Sequence, residues 1–211
     1  MKNIITIVMV AAAALSIFCG CGPQKPKAVG FLSDYSKLQA DSDTSFRYMA
    51  PGNPLADYDQ FIIDPVRVQF YTGSKAIEQR SKGKLKDEDI TDITNYMHEA
   101  LVKAIENRYQ VVHQPSPGVA RVKVALTDLK KSDTLMNILP ITKIAGTGLG
   151  GASMEAELLD SVTGRQIAAV IQSQLGERLS LDGVSKWGDA RAIMDGWARN
   201  FRRRLDEAHG Y

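Results

Sequence analysis

Cysteine is nearly absent from the 211-residue chain: there are two, Cys19 and Cys21. Both fall near the N-terminus, so the body of the protein has neither a disulfide framework nor a cysteine-based zinc site. Histidine is also scarce, with three residues, His98, His113 and His209. None has a partner at ligand spacing. His98-Glu99 opens like a zinc-protease helix, but Val102 stands where the second histidine is required. Charge of one sign is not in excess either: 26 Lys and Arg face 24 Asp and Glu, for a formal net charge of +2. That balance carries no nucleic-acid footprint. Long apolar runs are missing after residue 18, which leaves nothing near the roughly 20 residues that a membrane-crossing helix needs. The 44% hydrophobic content is ordinary for a globular protein, and the length predicts one domain.

What is present begins with Lys2, an apolar run over residues 4–18, and the closing sequence Cys19-Gly20-Cys21-Gly22-Pro23. A positive start, a short apolar stretch and small residues before a cysteine resemble a bacterial lipoprotein signal. Cys21, preceded by Gly20, fits the acylated position. Cys19 follows bulky Phe18 and does not. The expected organisation is a signal peptide over residues 1–20, a polar Pro/Lys/Gln tether over 21–29 and a single domain over 30–211. By the same resemblance, Gly22 after the acylated cysteine implies the outer membrane, with the domain facing the periplasm.

Along the domain, Phe31, Leu32, Tyr35 and Leu38 would be wasted in a solvated linker and are expected to dock on the body. Residues 61–70 read as a strand interrupted by Pro65, which lacks a donor and marks an edge or bulge. Residues 72–86, rich in Gly, Ser and Lys, read as a loop. Ile90, Ile93, Met97, Leu101, Ala104 and Ile105 recur at helical spacing, behind an acidic start that suits the helix dipole. Strands follow at 109–113 and 119–130, then a hairpin pairs 154–160 with 165–176 through Ser161-Val162-Thr163-Gly164. Trp187, Ala190, Met194, Trp197, Phe201 and Leu205 form the stripe of a last helix. This order predicts an α+β two-layer sandwich: a mostly antiparallel sheet of about five strands with two helices on one face.

The succession Gly30-Phe31-Leu32-Ser33-Asp34-Tyr35-Ser36-Lys37-Leu38, Tyr48-Met49-Ala50-Pro51-Gly52, Tyr58-Asp59, Asp64-Pro65-Val66, Glu155-Ala156-Glu157-Leu158-Leu159-Asp160-Ser161-Val162-Thr163-Gly164 and Trp197-Ala198 resembles a family of bacterial lipoproteins catalogued only as a domain of unknown function. The resemblance spans most of the mature chain and carries over no catalytic residue.

Other motifs point to no complete chemistry. Ser81-Lys82-Gly83-Lys84 has the serine and lysine of penicillin-binding enzymes without their companion motifs. Gly146-Thr147-Gly148-Leu149-Gly150-Gly151 is not followed by the Lys-Ser/Thr and helix of a phosphate loop. Asp41, Asp43 and Ser45 begin like a calcium loop, but Phe46 replaces the turn glycine. The arginines at 199 and 202–204 read as a solvated helix face, with a lipid head group or acidic partner as the sharper alternative. Residues 135–149 are apolar without strand alternation. They form either a core cover or a patch presented to a partner or membrane through Leu135, Ile138, Leu139, Ile141 and Ile144. The expectation is a non-enzymatic envelope lipoprotein without cofactor or metal, held to the membrane by lipid on Cys21. Its expected partner is another envelope protein, not nucleic acid. The competing expectation is a periplasmic hydrolase assembled from dispersed residues such as Asp64, His113 and Ser153.

Overall fold

A computed structural model describes residues 25–133, 149–176 and 185–211. One mixed sheet of eight strands runs through it. In chain order these are β1 (Gln39–Ser42), β2 (Ser45–Met49), β3 (Gln60–Ile63), β4 (Arg67–Val68), β5 (Gln110–Val111), β6 (Val119–Lys130), β7 (Gly151–Asp160) and β8 (Gln166–Leu175). The helices are α1 (Lys75–Ser81), α2 (Asp87–Ile105) and α3 (Gly188–His209), with a 3-10 turn at Pro54–Asp57. The spatial order is β1-β2-β8-β7-β6-β3-β5, and β4 also pairs with β6.

The α+β class holds, but the sheet is larger and less antiparallel than its sequence suggests. From β1 to β6 every neighbour is antiparallel, whereas β3, β4 and β5 join in parallel. Parallel β3 and β5 require a crossover, and α1 and α2 supply it. The strand expected across residues 61–70 breaks at Pro65: Asp64 still donates its N–H to Val122 O, and the chain rejoins β6 only at Arg67. The loop expected over 72–86 holds α1, whose first turn is capped by the Ser74 hydroxyl accepting from Ile77 N–H at 3.2 Å. β1 is exposed along its length and mostly polar, so apolar alternation gave no sign of it.

Both long helices lie on one face. Ile93, Met97, Leu101 and Ile105 of α2, at four-residue spacing, are buried with Ala190, Ile193, Met194, Trp197, Ala198 and Leu205 of α3. They meet the inward residues of the sheet, including Phe61, Val122, Val124, Met154, Leu158 and Ile167, in one core. The Tyr96 hydroxyl on α2 donates to Asp195 on α3 at 2.9 Å, and Tyr109 donates to Asp206 at 2.9 Å. Gly210 ends α3 in the left-handed region at φ 78°.

Asp189, in the first turn of α3 and 1% exposed, closes one end of the sheet. It accepts from Ser132 Oγ at 3.0 Å and from Gly150 N–H at 2.6 Å, binding the end of β6 and the start of β7 to the positive end of the helix. Gly176 passes so close that a Cβ there would overlap the Asp189 carboxyl.

The opposite face of the sheet is also covered. Residues 29–38 cross it as a strap, and Leu32 is buried with Ala169 and Ile171 of β8, flanked by Phe31, Tyr35, Leu38, Phe46 and Tyr48. Glu155 and Glu157 project from β7 into this layer and are 0% and 2% exposed. Glu155 accepts from Val29 N–H at 2.7 Å, Phe31 N–H at 3.1 Å and Tyr35 Oη at 2.5 Å. Glu157 accepts from Ser33 N–H at 2.8 Å, Ser33 Oγ at 2.7 Å and Lys123 Nζ at 2.8 Å, with Gln166 Nε2 at 3.1 Å. The two carboxyl groups thus satisfy backbone donors of a segment with no strand partner.

Candidate functional site

The helix layer is narrower than the sheet. α2 and α3 cover β3, β6 and β7, but the inner faces of β8 and β2 meet only one flank of α3. Ala156, Ala168 and Val170 are consequently half-buried, and Met49 at the end of β2 is 45% exposed. The gap is a groove of about 440 Å³, within the size range of small-molecule sites.

Its interior and mouth differ in chemistry. The buried lining includes Met97 and Leu101 from α2, Trp197 from α3, Val124 from β6 and Met154 and Leu158 from β7. Ala156 and Ala168, reaching no further than Cβ, form much of the floor. The mouth is marked by exposed Asp41, Met49 and Arg204, with half-buried Arg47 and Asn200 beside them. Arg47 pairs with Asp41 at 3.2 Å, and Arg204 approaches Glu207 at 3.6 Å. Both pairs are solvated at their edges, and such pairs contribute about 0–1 kcal/mol. Glu157 also borders the groove, but its carboxyl group lies on the strap side with Ser33 and Lys123. An apolar trough with cationic groups at its entrance can hold an apolar body and orient a charged end. Among the described residues that line it, no nucleophile stands beside a base.

The residues singled out from sequence are not brought together here. Asp64 is bound to Arg121 at 3.0 Å on the strap side of the sheet. Ser153 donates to Ser173 Oγ at 2.8 Å and sits opposite Asp128. Arg121 and Asp128 are separated along β6 by seven strand residues, roughly 20 Å. His113 follows β5 at the far edge of the sheet. His98 Nδ1 lies 3.3 Å from Asp64 O. Among the described residues no group of three His, Cys, Asp or Glu side chains is placed to hold a metal. Arg202 is committed to Asp206 at 2.8 Å and to Ala104 O at 2.9 Å, and Arg203 to Glu207 at 2.5 Å, so the arginine run is mostly paired within α3 and its neighbours. Cys21 lies outside the described residues, as do Leu135, Ile138, Leu139, Ile141 and Ile144. No helix among the described residues is long and apolar enough to cross a membrane.

Sequence reasoning missed the groove because its parts look like core. Met97, Trp197 and Leu101 obey helical spacing, and Ala168 and Val170 obey strand alternation. The one signal was Arg47 and Met49, which share β2's inner face with residues that should have been covered.

Fold and site together define a two-layer α+β domain with an apolar groove on its helix side and a peptide strap on the other. The chain belongs to the family described as "Protein of unknown function (DUF3313)", whose model matches residues 27–201. No curated protein matches. Among solved structures, the PelC dodecamer from Paraburkholderia phytofirmans is similar at 11% identity and TM-score 0.42, over 77% of this chain and 96% of that one. Protein XCC0632 from Xanthomonas campestris, of family DUF330, is similar at 10% identity and TM-score 0.39, over 77% and 94%. A neuraminyllactose-binding hemagglutinin homolog from Helicobacter pylori is similar at 12% identity and TM-score 0.35, over 74% and 87%.

Proposed function

We propose that the protein is a non-enzymatic binding module of the bacterial envelope, acylated at Cys21, held at the outer membrane and facing the periplasm. The observation that carries the binding role is the groove: an apolar trough left open between α3 and β2/β8, with Arg47 and Arg204 at its mouth. Burying apolar surface of this kind contributes roughly 25 cal/mol per Å², so an open trough favours an occupant. The lipid address rests on the sequence of residues 1–23. A hydrolase built on Asp64, His113 and Ser153 draws no support, because Ser153 lies roughly 20 Å along β6 from the Asp64–Arg121 pair.

The test places a photo-crosslinking amino acid at Met49, in the mouth, or at Val162, exposed on the β7–β8 hairpin. The cells are irradiated intact, with and without the groove-filling change Val170→Trp. The reading expects a product from Met49 that disappears with Val170→Trp, and none from Val162. Equal products from both positions, or one indifferent to Val170→Trp, would refute it. Fractionation with an intact mass at Cys21 tests the address separately.

A further inference from the structure

We infer that the groove takes a single acyl chain ending in a monoanionic head group, with the chain on the β7–β8 floor beneath α3 and the head between Arg47 and Arg204. This deepens the binding role proposed above and rests on it.

Three observations select this ligand. First, the floor has no spare backbone hydrogen-bonding edge. β8 is paired with β2 from Ser45 to Met49 and with β7 along its length. An incoming peptide strand would therefore leave its own N–H and C=O groups unpaired against apolar side chains, which is costly. An alkyl chain has no such groups. Second, the buried lining of Met97, Leu101, Val124, Met154, Leu158 and Trp197 offers apolar surface without hydroxyl or charge, the Trp197 indole N–H having no partner among the described residues. Methionines adapt to a flexible chain better than branched residues do. Third, the charge is concentrated at the mouth, where Arg47 pairs with Asp41 and Arg204 shares Glu207 with Arg203, three guanidinium groups against two carboxylates. One positive charge is left for a ligand, and a guanidinium can grip a carboxylate or phosphate oxygen pair in its planar fork. Arg204 is available for this, since its 3.6 Å approach to Glu207 is long and solvated.

The test uses the expected mature chain, residues 21–211, carrying Cys21→Ser and purified without detergent, and calorimetric titration below micelle-forming concentrations. The probes are decanoate, dodecanoate, dodecanol and a lysophosphatidylglycerol with a twelve-carbon chain. Two added methylenes should tighten dodecanoate over decanoate by roughly 10-fold. Dodecanol should bind roughly 10-fold more weakly than dodecanoate. Arg47→Gln combined with Arg204→Gln should reduce dodecanoate to the level of dodecanol and leave dodecanol unchanged. These arms use the unfilled groove, so they decide the matter even if Val170→Trp fails to fold. Lysophosphatidylglycerol binding more tightly than dodecanoate assigns the chain to a phospholipid, and the reverse order to a free fatty acid; both support the inference. Affinity independent of chain length, or equal for dodecanoate and dodecanol, overturns it. If dodecanol alone binds, the anionic head is wrong while the groove remains a binding site. If no amphiphile binds, the inference fails, and an in-cell product at Met49 lost with Val170→Trp would still uphold the binding role.

Discussion

Replacing Glu155 by Ala should free the strap while leaving the sheet and helices intact. The side chain accepts from Val29 N–H, Phe31 N–H and Tyr35 Oη. Left buried without a partner, each donor costs about 1–3 kcal/mol. The strap avoids the full sum by detaching into water, which forfeits instead the burial of Leu32, about 1.5–3 kcal/mol. The smaller of these sets the effect, so local opening becomes easier by about 1.5–3 kcal/mol. That lowers protection of the Val29 and Phe31 amides against hydrogen exchange by about ten- to a hundredfold. Acid should act in the same direction. Burial alone would raise the Glu157 pKa, but hydrogen bonds from Lys123, Ser33 and Gln166 hold it below the ordinary 4.5. The folded protein therefore gives up this proton more readily than the unfolded chain. Its contribution is full at neutral pH and is lost as the pH falls below that value. Exchange measured at neutral pH and near pH 4 on wild type and Glu155→Ala tests both statements. If the strap amides keep wild-type protection in the variant, or if protection falls equally across β6 and β7, the carboxyl clamp is not what holds the strap.

Further outcomes follow from single positions. Gly176→Ala drives a methyl group into the Asp189 carboxyl, and overpacking of this kind costs about 1–3 kcal/mol; urea unfolding should show the loss, and an unchanged midpoint would refute the close approach. Trp197→Phe should cost little beyond the smaller ring, because the indole N–H is buried without a hydrogen-bond partner among the described residues and its removal leaves nothing unsatisfied. A loss well above 3 kcal/mol in the same assay would contradict that. Cys21→Ser should abolish the acyl mass on the intact protein, whereas an unchanged acyl mass would contradict lipid attachment at that residue.

Much of the fold was legible because periodicity reports burial. The stripes of α2 and α3 each followed from one buried face, and the alternation of β6 from its helix-side residues, although the opposite face of the sheet is covered as well. Parallel pairing was not legible, since Phe61, Ile62 and Ile63 read the same whichever way β6 runs beside them. β1 was hidden for the opposite reason: Gln39, Ala40, Asp41 and Ser42 have no buried face, and apart from the Asp41–Arg47 pair the strand is held by its backbone. Docking of Phe31 and Leu32 followed from their being too apolar for a linker. Their anchors did not, because Glu155 and Glu157 on an alternating strand signal a solvated face unless the covering segment is known. Asp189 was missed similarly, as an acidic residue opening a helix is ordinary until Ser132 and Gly150 are seen to bury it. The groove depends on which strands the helices fail to cover, a property of sheet width that no single stretch encodes.

Methyl NMR of methionine-labelled protein bears most directly on whether the trough beside α3 is where a ligand sits. Met49, Met97 and Met154 line it, while Met194 is fully buried elsewhere in the core. Titration with dodecanoate should shift the first three methyl signals together and leave Met194 in place. Shifts at Met194 alone, or none at the three lining residues, would contradict the account.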